Sequence, residues 1–185
     1  MKLLVAAHPS ELVAFEPELP GFDRLLTGVG KVPAAYALTR ALATNTYDEI
    51  VVVGTAGAID PDLESGVHEI GAALQHDVKG LDGVIGHHVW LPERVDLAAD
   101  GIVIATGDHF IDDAEAVIAI RALGARMVDM ESYALAWVAQ QFGVPIRILR
   151  AVSDRAQDGA TEEWDDAALV CSEWLRASIR ELYGV

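Results

Sequence analysis

The sequence predicts one α/β domain that covers residues 1–185. Short apolar stretches typical of buried strands alternate with stretches typical of helices, which is the order that builds an α/β sheet. A chain of 185 residues with 52% hydrophobic content and 16 glycines fits a single core better than two. The clearest unit lies in residues 127–158, where a strand, a helix and a second strand follow one another.

This unit carries acidic side chains at the end of each strand. The first strand ends in Asp129 and Glu131, the helix covers about residues 132–142, and the second strand ends at Ser153 and Asp154. In a parallel sheet with a helical crossover, the carboxyl ends of both strands lie on one side, where ligands bind. Glu131 and Asp154 are therefore expected to face a common pocket. The alternative is that each is an ordinary loop acid.

Charge and hydropathy exclude several classes of protein. The formal net charge is −16, so most of the surface repels nucleic-acid phosphate, and nucleic-acid binding is not expected. No apolar run reaches about eighteen residues, and the first apolar run is too short for a signal peptide. We expect a soluble, cytoplasmic protein that has no membrane partner.

The cysteine and the histidines do not predict a metal site or a disulfide. Cys171 is the only cysteine and lies in a predicted helix, where a buried, inert thiol is expected. The six histidines show no metal-ligand spacing; His87 and His88, for example, would point to opposite faces of a strand. We therefore expect neither a metal nor another cofactor.

Two segments in the first third of the chain lie where a sheet binds its ligands. Residues 2–7, 22–27 and 48–53 read as strands. The loop after the first contains Glu11, which is expected beside the ligand edge, although Ser10 could instead cap a short helix there. The GTAGAI segment after residue 53 predicts a glycine turn in which backbone amides and the Thr55 hydroxyl approach a ligand, or simply a tight turn.

The middle of the chain predicts a hairpin, a strand and an aromatic loop. Residues 67–78 and 84–92 fit two antiparallel strands joined by a turn at residues 80–83. Residues 102–105 form another buried strand, and Phe110 follows in a small, polar loop, where its ring could stack on a planar ligand or fill the core. Asp112 or Asp113 is expected to cap the next helix.

Five motifs together resemble the nucleoside phosphorylase and nucleosidase superfamily, and most of all its 5′-methylthioadenosine/S-adenosylhomocysteine nucleosidases. In chain order they are GVGKVPAA, VVVGTAGAI, ATGDHFI, VDMES and RAVSDRA, and they span nearly the whole sequence. The resemblance implies a three-layer, phosphorylase-like fold with a central mixed sheet, partly closed into a barrel and flanked by helices. It also implies a homo-oligomer, with a dimer favoured.

The resemblance further implies a purine nucleoside substrate and a role for each matching residue. Asp154 would protonate purine N7, and Glu11 would activate water. Glu131 and Met130 would hold the ribose, while Phe110 and the Ile111 backbone would bind the base. Further substrate contacts are expected from Thr55, Ala56, Gly57, Asp129, Arg150 and Ser153. Cleavage of an N-glycosidic bond requires an acid for the leaving purine and anions near the cationic ribose, which these carboxylates provide.

This sequence departs from the family pattern at several points. Thr55 replaces a common serine, and His109 replaces a smaller residue. The first loop has fewer acids than usual, and the interval 57–107 is short and lacks a predicted helix. Part of that interval closes over the 5′ end of the substrate in dimeric nucleosidases, so the natural 5′ substituent stays open.

Water is the expected nucleophile, because phosphorolysis requires cationic side chains for a phosphate dianion. No arginine occurs at residues 8–10 or 51–53, where the family's phosphorylases carry them. The sequence thus favours hydrolysis of methylthioadenosine or S-adenosylhomocysteine to release adenine. The alternatives are a futalosine-type hydrolase, a purine nucleoside phosphorylase, and a nucleoside-binding protein without catalysis.

Overall fold

The computed structural model describes residues 1–16, 19–97, 100–156 and 160–185, with side chains omitted for 160–166. The end of the unit 127–158 thus lies outside the described residues. The strands are β1 (Lys2–Ala6), β2 (Phe22–Leu26), β3 (Glu49–Ala58), β4 (Val67–Gln75), β5 (Arg94–Asp96), β6 (Ile102–Thr106), β7 (Met127–Asp129) and β8 (Ile146–Asp154). The α-helices are α1 (Lys31–Thr44), α2 (Ala114–Ala122), α3 (Ser132–Phe142) and α4 (Ala160–Tyr183), and Pro9–Phe15 is a 3-10 helix.

The strands form one mixed sheet that closes on itself over part of its width. The order is β2-β1-β3-β7-β6-β4-β5, and β8 pairs with both β3 and β4. The circuit β3-β7-β6-β4-β8 is therefore a closed barrel, whereas β1 and β2 extend it as an open wing. The predicted α/β fold, with a mixed sheet partly closed into a barrel, is confirmed.

Helices cover the sheet on two sides. The apolar face of α1 packs with α3 against one core, in which Leu38, Ile50 and Leu135 are fully or almost fully buried. On the other side α4 and the 3-10 helix enclose a second core that includes Phe15, Cys171 and Leu175. The predicted burial of Cys171 is confirmed, and this burial raises the pKa of its thiol to about 11.

Helix boundaries follow local chemistry closely. Asp113 is the N-cap of α2, where its carboxylate accepts from two backbone N–H groups. Helix α3 covers the predicted residues and ends at Gly143, which adopts the left-handed conformation at φ +66°. The short helix after β1 is capped by His8 rather than by Ser10, because the His8 ring accepts from Ser10 N.

The predicted strand at residues 84–92 is wrong. Only one isolated bridge, between Lys79 and Ile85, forms in this region, and β4 pairs instead with the short β5. Gly86 adopts φ +87°, and the His88 ring accepts the backbone N–H groups of Trp90 and Leu91, so these groups do not join a strand ladder.

Two predictions about strand geometry near the site are also wrong. The GTAGAI segment is not a turn, because β3 continues through it to Ala58 and neither Gly54 nor Gly57 has a positive φ. Strands β7 and β8 are not parallel neighbours: both flank β3, to which β7 is antiparallel and β8 parallel. Their ends still meet, because Gly57 of β3 pairs with both Val128 and Asp154.

No helix in the described ranges combines the length and the apolar character that a bilayer span requires.

Candidate active site

A cavity of about 320 Å³ opens where β3, β7 and β8 meet the loops after β1 and β6. Eleven of the twelve predicted site residues line it, all except Arg150: Glu11, Thr55, Ala56, Gly57, Phe110, Ile111, Asp129, Met130, Glu131, Ser153 and Asp154. The lining also contains Ala7, His8, Val29, His109 and Val128. The predicted common pocket for Glu131 and Asp154 is therefore present.

Glu11 is held rigidly at the floor of this cavity. One carboxylate oxygen accepts from Ala7 N and His8 N, both at 3.0 Å, and the other accepts from Thr55 N at 2.8 Å. The Thr55 hydroxyl lies 3.3 Å from the second oxygen. Glu11 is only 3% exposed. Bonds from backbone amides fix this carboxylate in place, as a base that acts on one bound water requires.

Arg150 lies behind the cavity wall and joins its acids. Its guanidinium donates to Asp129 Oδ2 at 2.5 Å and to Ser132 Oγ at 3.1 Å, and is 3.5 Å from Glu131 Oε2. Burial alone would lower the pKa of Arg150, but the neighbouring carboxylates of Asp129, Glu131 and Glu11 raise it, so the residue remains a cation. Arg150 is 1% exposed and does not line the cavity. A direct contact between Arg150 and the substrate stays a prediction.

Asp129 is fully committed to this network. Asp129 Oδ1 accepts from the Thr106 hydroxyl at 2.6 Å. Asp129 Oδ2, which accepts from Arg150, also accepts from Ser132 N at 2.9 Å. The Thr106 hydroxyl in turn accepts from Tyr133 N at 3.0 Å. This chain of bonds fixes the end of β7 and the start of α3, and thus the position of Glu131 between them.

Glu131 lies at the start of α3 and is the buried acid of this site whose pKa is raised. One carboxylate oxygen accepts from Gly30 N at 2.9 Å, and the side chain is buried. Burial raises the pKa of Glu131 to about 7; Arg150 opposes this shift, and the nearby Asp129 adds to it. Arg150 is closer to Asp129, so Glu131 lacks a dedicated cation and can change its charge near neutral pH.

Asp154 reaches the cavity from the end of β8. Its carboxylate accepts from Ser153 Oγ and from Ala156 N, both at 2.8 Å. Ala156 adopts φ +48°, an uncommon backbone conformation for a residue other than glycine. A Cβ on Gly57 would lie 3.0 Å from Asp154 Oδ1, so the glycine leaves room for the acid.

The loop after β6 provides the aromatic wall. Phe110 is 38% exposed with its ring on the cavity, whereas Ile111 is buried in the core beneath. An exposed ring beside a cavity is available for stacking on a planar ligand.

Five further residues line the cavity that were not predicted there: Ala7, His8, Val29, His109 and Val128. His8 and Val29 follow β1 and precede α1, in the same loops as Glu11 and Gly30. Because Glu11 was predicted at the ligand edge, its neighbour His8 could have been inferred from the loop alone.

The family model described as the phosphorylase superfamily matches residues 25–182. The chain therefore belongs to the phosphorylase superfamily. It is similar to the 5′-methylthioadenosine/S-adenosylhomocysteine nucleosidase of Marinomonas sp., with 30% identity over 85% of this chain and 78% of the relative. It is also similar to the 5′-methylthioadenosine/S-adenosylhomocysteine nucleosidase of Geobacillus kaustophilus, with 34% identity over 75% of this chain and 69% of the relative.

Solved structures show the same fold. The 5′-methylthioadenosine/S-adenosylhomocysteine nucleosidase from S. pneumoniae, with a transition-state inhibitor, superposes with a TM-score of 0.87 at 21% identity over 97% of this chain and 96% of the other. The futalosine hydrolase of Helicobacter pylori gives a TM-score of 0.82 at 21% identity over 97% of each chain.

Proposed function

We propose that this chain is a purine nucleosidase that hydrolyses the N-glycosidic bond of 5′-methylthioadenosine, S-adenosylhomocysteine or both, and releases adenine. The observation that carries the proposal is the presence of Glu11 and Asp154 in one cavity, each fixed by backbone N–H donors. The relatives named above with 30% identity or more are nucleosidases for these substrates. The active unit is one domain, residues 1–185.

The reaction follows from the position of each group. Asp154, as the acid, gives a proton to purine N7 while the bond to the ribose breaks, and Phe110 stacks on the departing base. Glu131 accepts hydrogen bonds from the ribose hydroxyls, and the carboxylates around the sugar stabilise its growing positive charge. Glu11 takes a proton from water as it attacks the anomeric carbon.

The cavity favours water over phosphate. Among the described residues that line it, none is an arginine or a lysine, whereas Glu11, Asp129, Glu131 and Asp154 all contribute carboxyl groups. Arg150, the nearest buried cation, already pairs with Asp129. A phosphate dianion would therefore enter a site of its own sign without a partner.

A substrate panel tests the proposal. Methylthioadenosine, S-adenosylhomocysteine, adenosine, inosine, futalosine and uridine are incubated with the protein, with and without phosphate, and the products are separated by chromatography. We expect adenine and free sugar from the first two substrates, independent of phosphate, and almost no cleavage of uridine, which has no N7. Formation of a sugar 1-phosphate would overturn the hydrolase assignment. Binding of a nucleoside without any cleavage would contradict the proposal and favour a nucleoside-binding protein without catalysis.

A homodimer and a cytoplasmic location belong to the same proposal. Val32 and Tyr36 are 75% and 63% exposed on α1, and Trp90 is 89% exposed in the segment after β4. The backbone N–H of Lys31, the first residue of α1, bonds to Asp108 of the cavity loop, so the start of α1, which carries Val32, lies near the mouth of the site. Large apolar side chains at such positions favour a second subunit.

A further inference from the structure

His76 is a buried imidazole that the proposed reaction does not use. It follows β4 directly and is only 7% exposed. Its Nε2 is buried without a hydrogen-bond partner among the described residues. A buried ring nitrogen without a partner costs stability, so a protein that keeps one gains something else from the ring.

The His76 ring supports the loop that forms the aromatic wall. It packs on Gly107 so closely that a Cβ at residue 107 would lie 2.3 Å from the imidazole. Its edge meets the ring of His109, with 5.1 Å between centroids and an interplanar angle of 78°. His109 lines the cavity next to Phe110. The ring of His76 thus contacts the loop at its start and at a residue of the cavity wall.

The rest of the loop start is fixed by charge. Asp77, the next residue, accepts from Lys31 Nζ at 2.6 Å and from Asp108 N at 2.8 Å. Asp108 in turn accepts from Lys31 N at 2.7 Å. These bonds tie the loop to β4 and α1 as far as residue 108. Within the described parts of the chain no hydrogen bond continues them to His109 or Phe110, so these two residues depend there on packing.

We propose that His76 is a positioning residue for the loop 107–111, which it supports through His109 as a neutral imidazole. The inference rests on the proposed function, because it assigns this loop to base binding. It predicts that protonation of His76 weakens binding of the purine. The charged ring would carry a buried N–H at Nε2 with no acceptor, and it would have to turn away from Gly107 to find one.

The charges around His76 shift its pKa in both directions. Burial lowers the pKa of His76, and the like charges of His109 and Lys31 add to this effect, whereas Asp77 and Asp129 oppose it. The net direction is downward from 6.5, so the ring is neutral at pH 7.5 and takes up its proton only in a more acidic range.

Adenine is the best probe, because it contacts the base loop but has no ribose for Glu131. Its dissociation constant is measured by calorimetry at pH 7.5 and 5.5 for wild type, His76→Phe and His76→Gln. His68→Phe, near the start of β4 and outside the cavity lining, is the matched control. We expect wild type and the control to lose affinity as the pH falls, by up to about tenfold for each pH unit below the pKa. The Phe variant should lose much less.

The Gln variant keeps the proposal testable if the Phe variant does not fold. Gln has no ring to support His109, so KM for methylthioadenosine at pH 7.5 should rise severalfold while kcat changes little. A steep pH dependence in the Phe variant, or a wild-type KM in the Gln variant, would refute the role of His76. Failure of wild type to release adenine at all would instead refute the proposed function.

Discussion

The Asp154 carboxylate accepts from Ser153 Oγ with one oxygen and from Ala156 N with the other. In an asparagine, the amide oxygen can keep the bond from Ala156 N, and the amide N–H can donate to the Ser153 hydroxyl, which reverses that bond. Asp154→Asn should therefore keep the shape of the site but lose the proton for N7. We expect kcat for methylthioadenosine to fall by about a hundredfold or more with a small change in ligand binding. Single-turnover rates and binding of a non-cleavable nucleoside analogue measure the two effects separately. A kcat near that of wild type would remove Asp154 from the acid role.

Glu11→Gln tests the base. The amide nitrogen of Gln cannot accept from the backbone N–H groups that now bind both carboxylate oxygens, so we expect lower stability as well as severe loss of hydrolysis. Thr55→Ser keeps the hydroxyl near Glu11 and is the matched control, with activity close to that of wild type. Thermal unfolding separates loss of fold from loss of chemistry. A folded Gln variant with normal turnover would contradict the proposal.

The raised pKa of Glu131 predicts a pH dependence of nucleoside binding. The ionised form can accept from two ribose hydroxyls, so KM for methylthioadenosine should fall as the pH rises through about 7. Glu131→Gln should remove this step, and adenine, which has no ribose, should not show it. An unchanged pH profile in the variant would exclude Glu131 as its origin.

The same shift has an opposite effect on folding. The folded protein holds the proton of Glu131 more tightly than the unfolded chain, whose carboxyl has the ordinary value of 4.5. Between pH 4.5 and about 7 the native state binds more protons, so this group's contribution to stability is lost as the pH rises through that range.

At the residue scale, the acids were predictable because each ends a recognisable strand or lies in the loop after one. Val29 and the packing of His76 on Gly107 were not predictable, because loop conformation and packing behind a cavity leave no periodic signal in sequence.

At the element scale, strand β3 leaves space for two charged groups of the site because Gly54 has no side chain. Gly54 lies in its middle, and a Cβ there would be 2.0 Å from Arg150 Nη1 and 2.7 Å from Glu11 Oε1. Gly54→Ala should therefore displace both charged groups and abolish activity, with a loss of several kcal/mol of stability, since it disturbs a buried ion network.

Gly83→Ala is the control for this prediction. Residue 83 has φ +77° and open space around it, so alanine costs only backbone strain, about 1 kcal/mol, and should leave kcat unchanged. Denaturant unfolding and turnover measure both variants. Equal effects of the two substitutions would show that space at Gly54 is unimportant.

At the element scale, helix boundaries were predictable because capping residues such as Asp113 and Gly143 mark them directly. The strand at residues 84–92 was predicted wrongly because apolar content favours a strand, while Gly86 and the His88 ring turn the backbone out of any ladder. The glycines of β3 were read as turn residues, because the sequence alone does not show that Arg150 needs the space at Gly54 and Asp154 the space at Gly57.

At the whole-molecule scale, the exposed apolar side chains of Val32 and Tyr36 on α1 predict a dimer. Sedimentation velocity should give twice the chain mass of 19.8 kDa. Val32→Glu with Tyr36→Glu should dissociate it, because charges would be buried at the interface. Leu169→Glu, at an exposed apolar position on α4 that does not line the cavity, is the control and should leave the mass unchanged. A monomeric wild type would contradict the proposal.

The closed barrel was predictable only through the family resemblance. Periodicity identifies strands but not their partners, and the antiparallel contact between β7 and β3 violates the simple parallel order that the crossover helix suggested. The short β5 has only three residues and no pattern to reveal it.

The barrel closes through β8, the last strand of the chain, and this has a consequence for synthesis. Until residues 146–154 emerge from the ribosome, β3 and β4 have an unpaired edge, and Asp129 and Glu131 have no Arg150. Contacts between strands so far apart in sequence also form slowly. A nascent chain without β8 therefore leaves these strand edges unpaired and these acids without their cation, and we expect it to aggregate more readily than the folded protein.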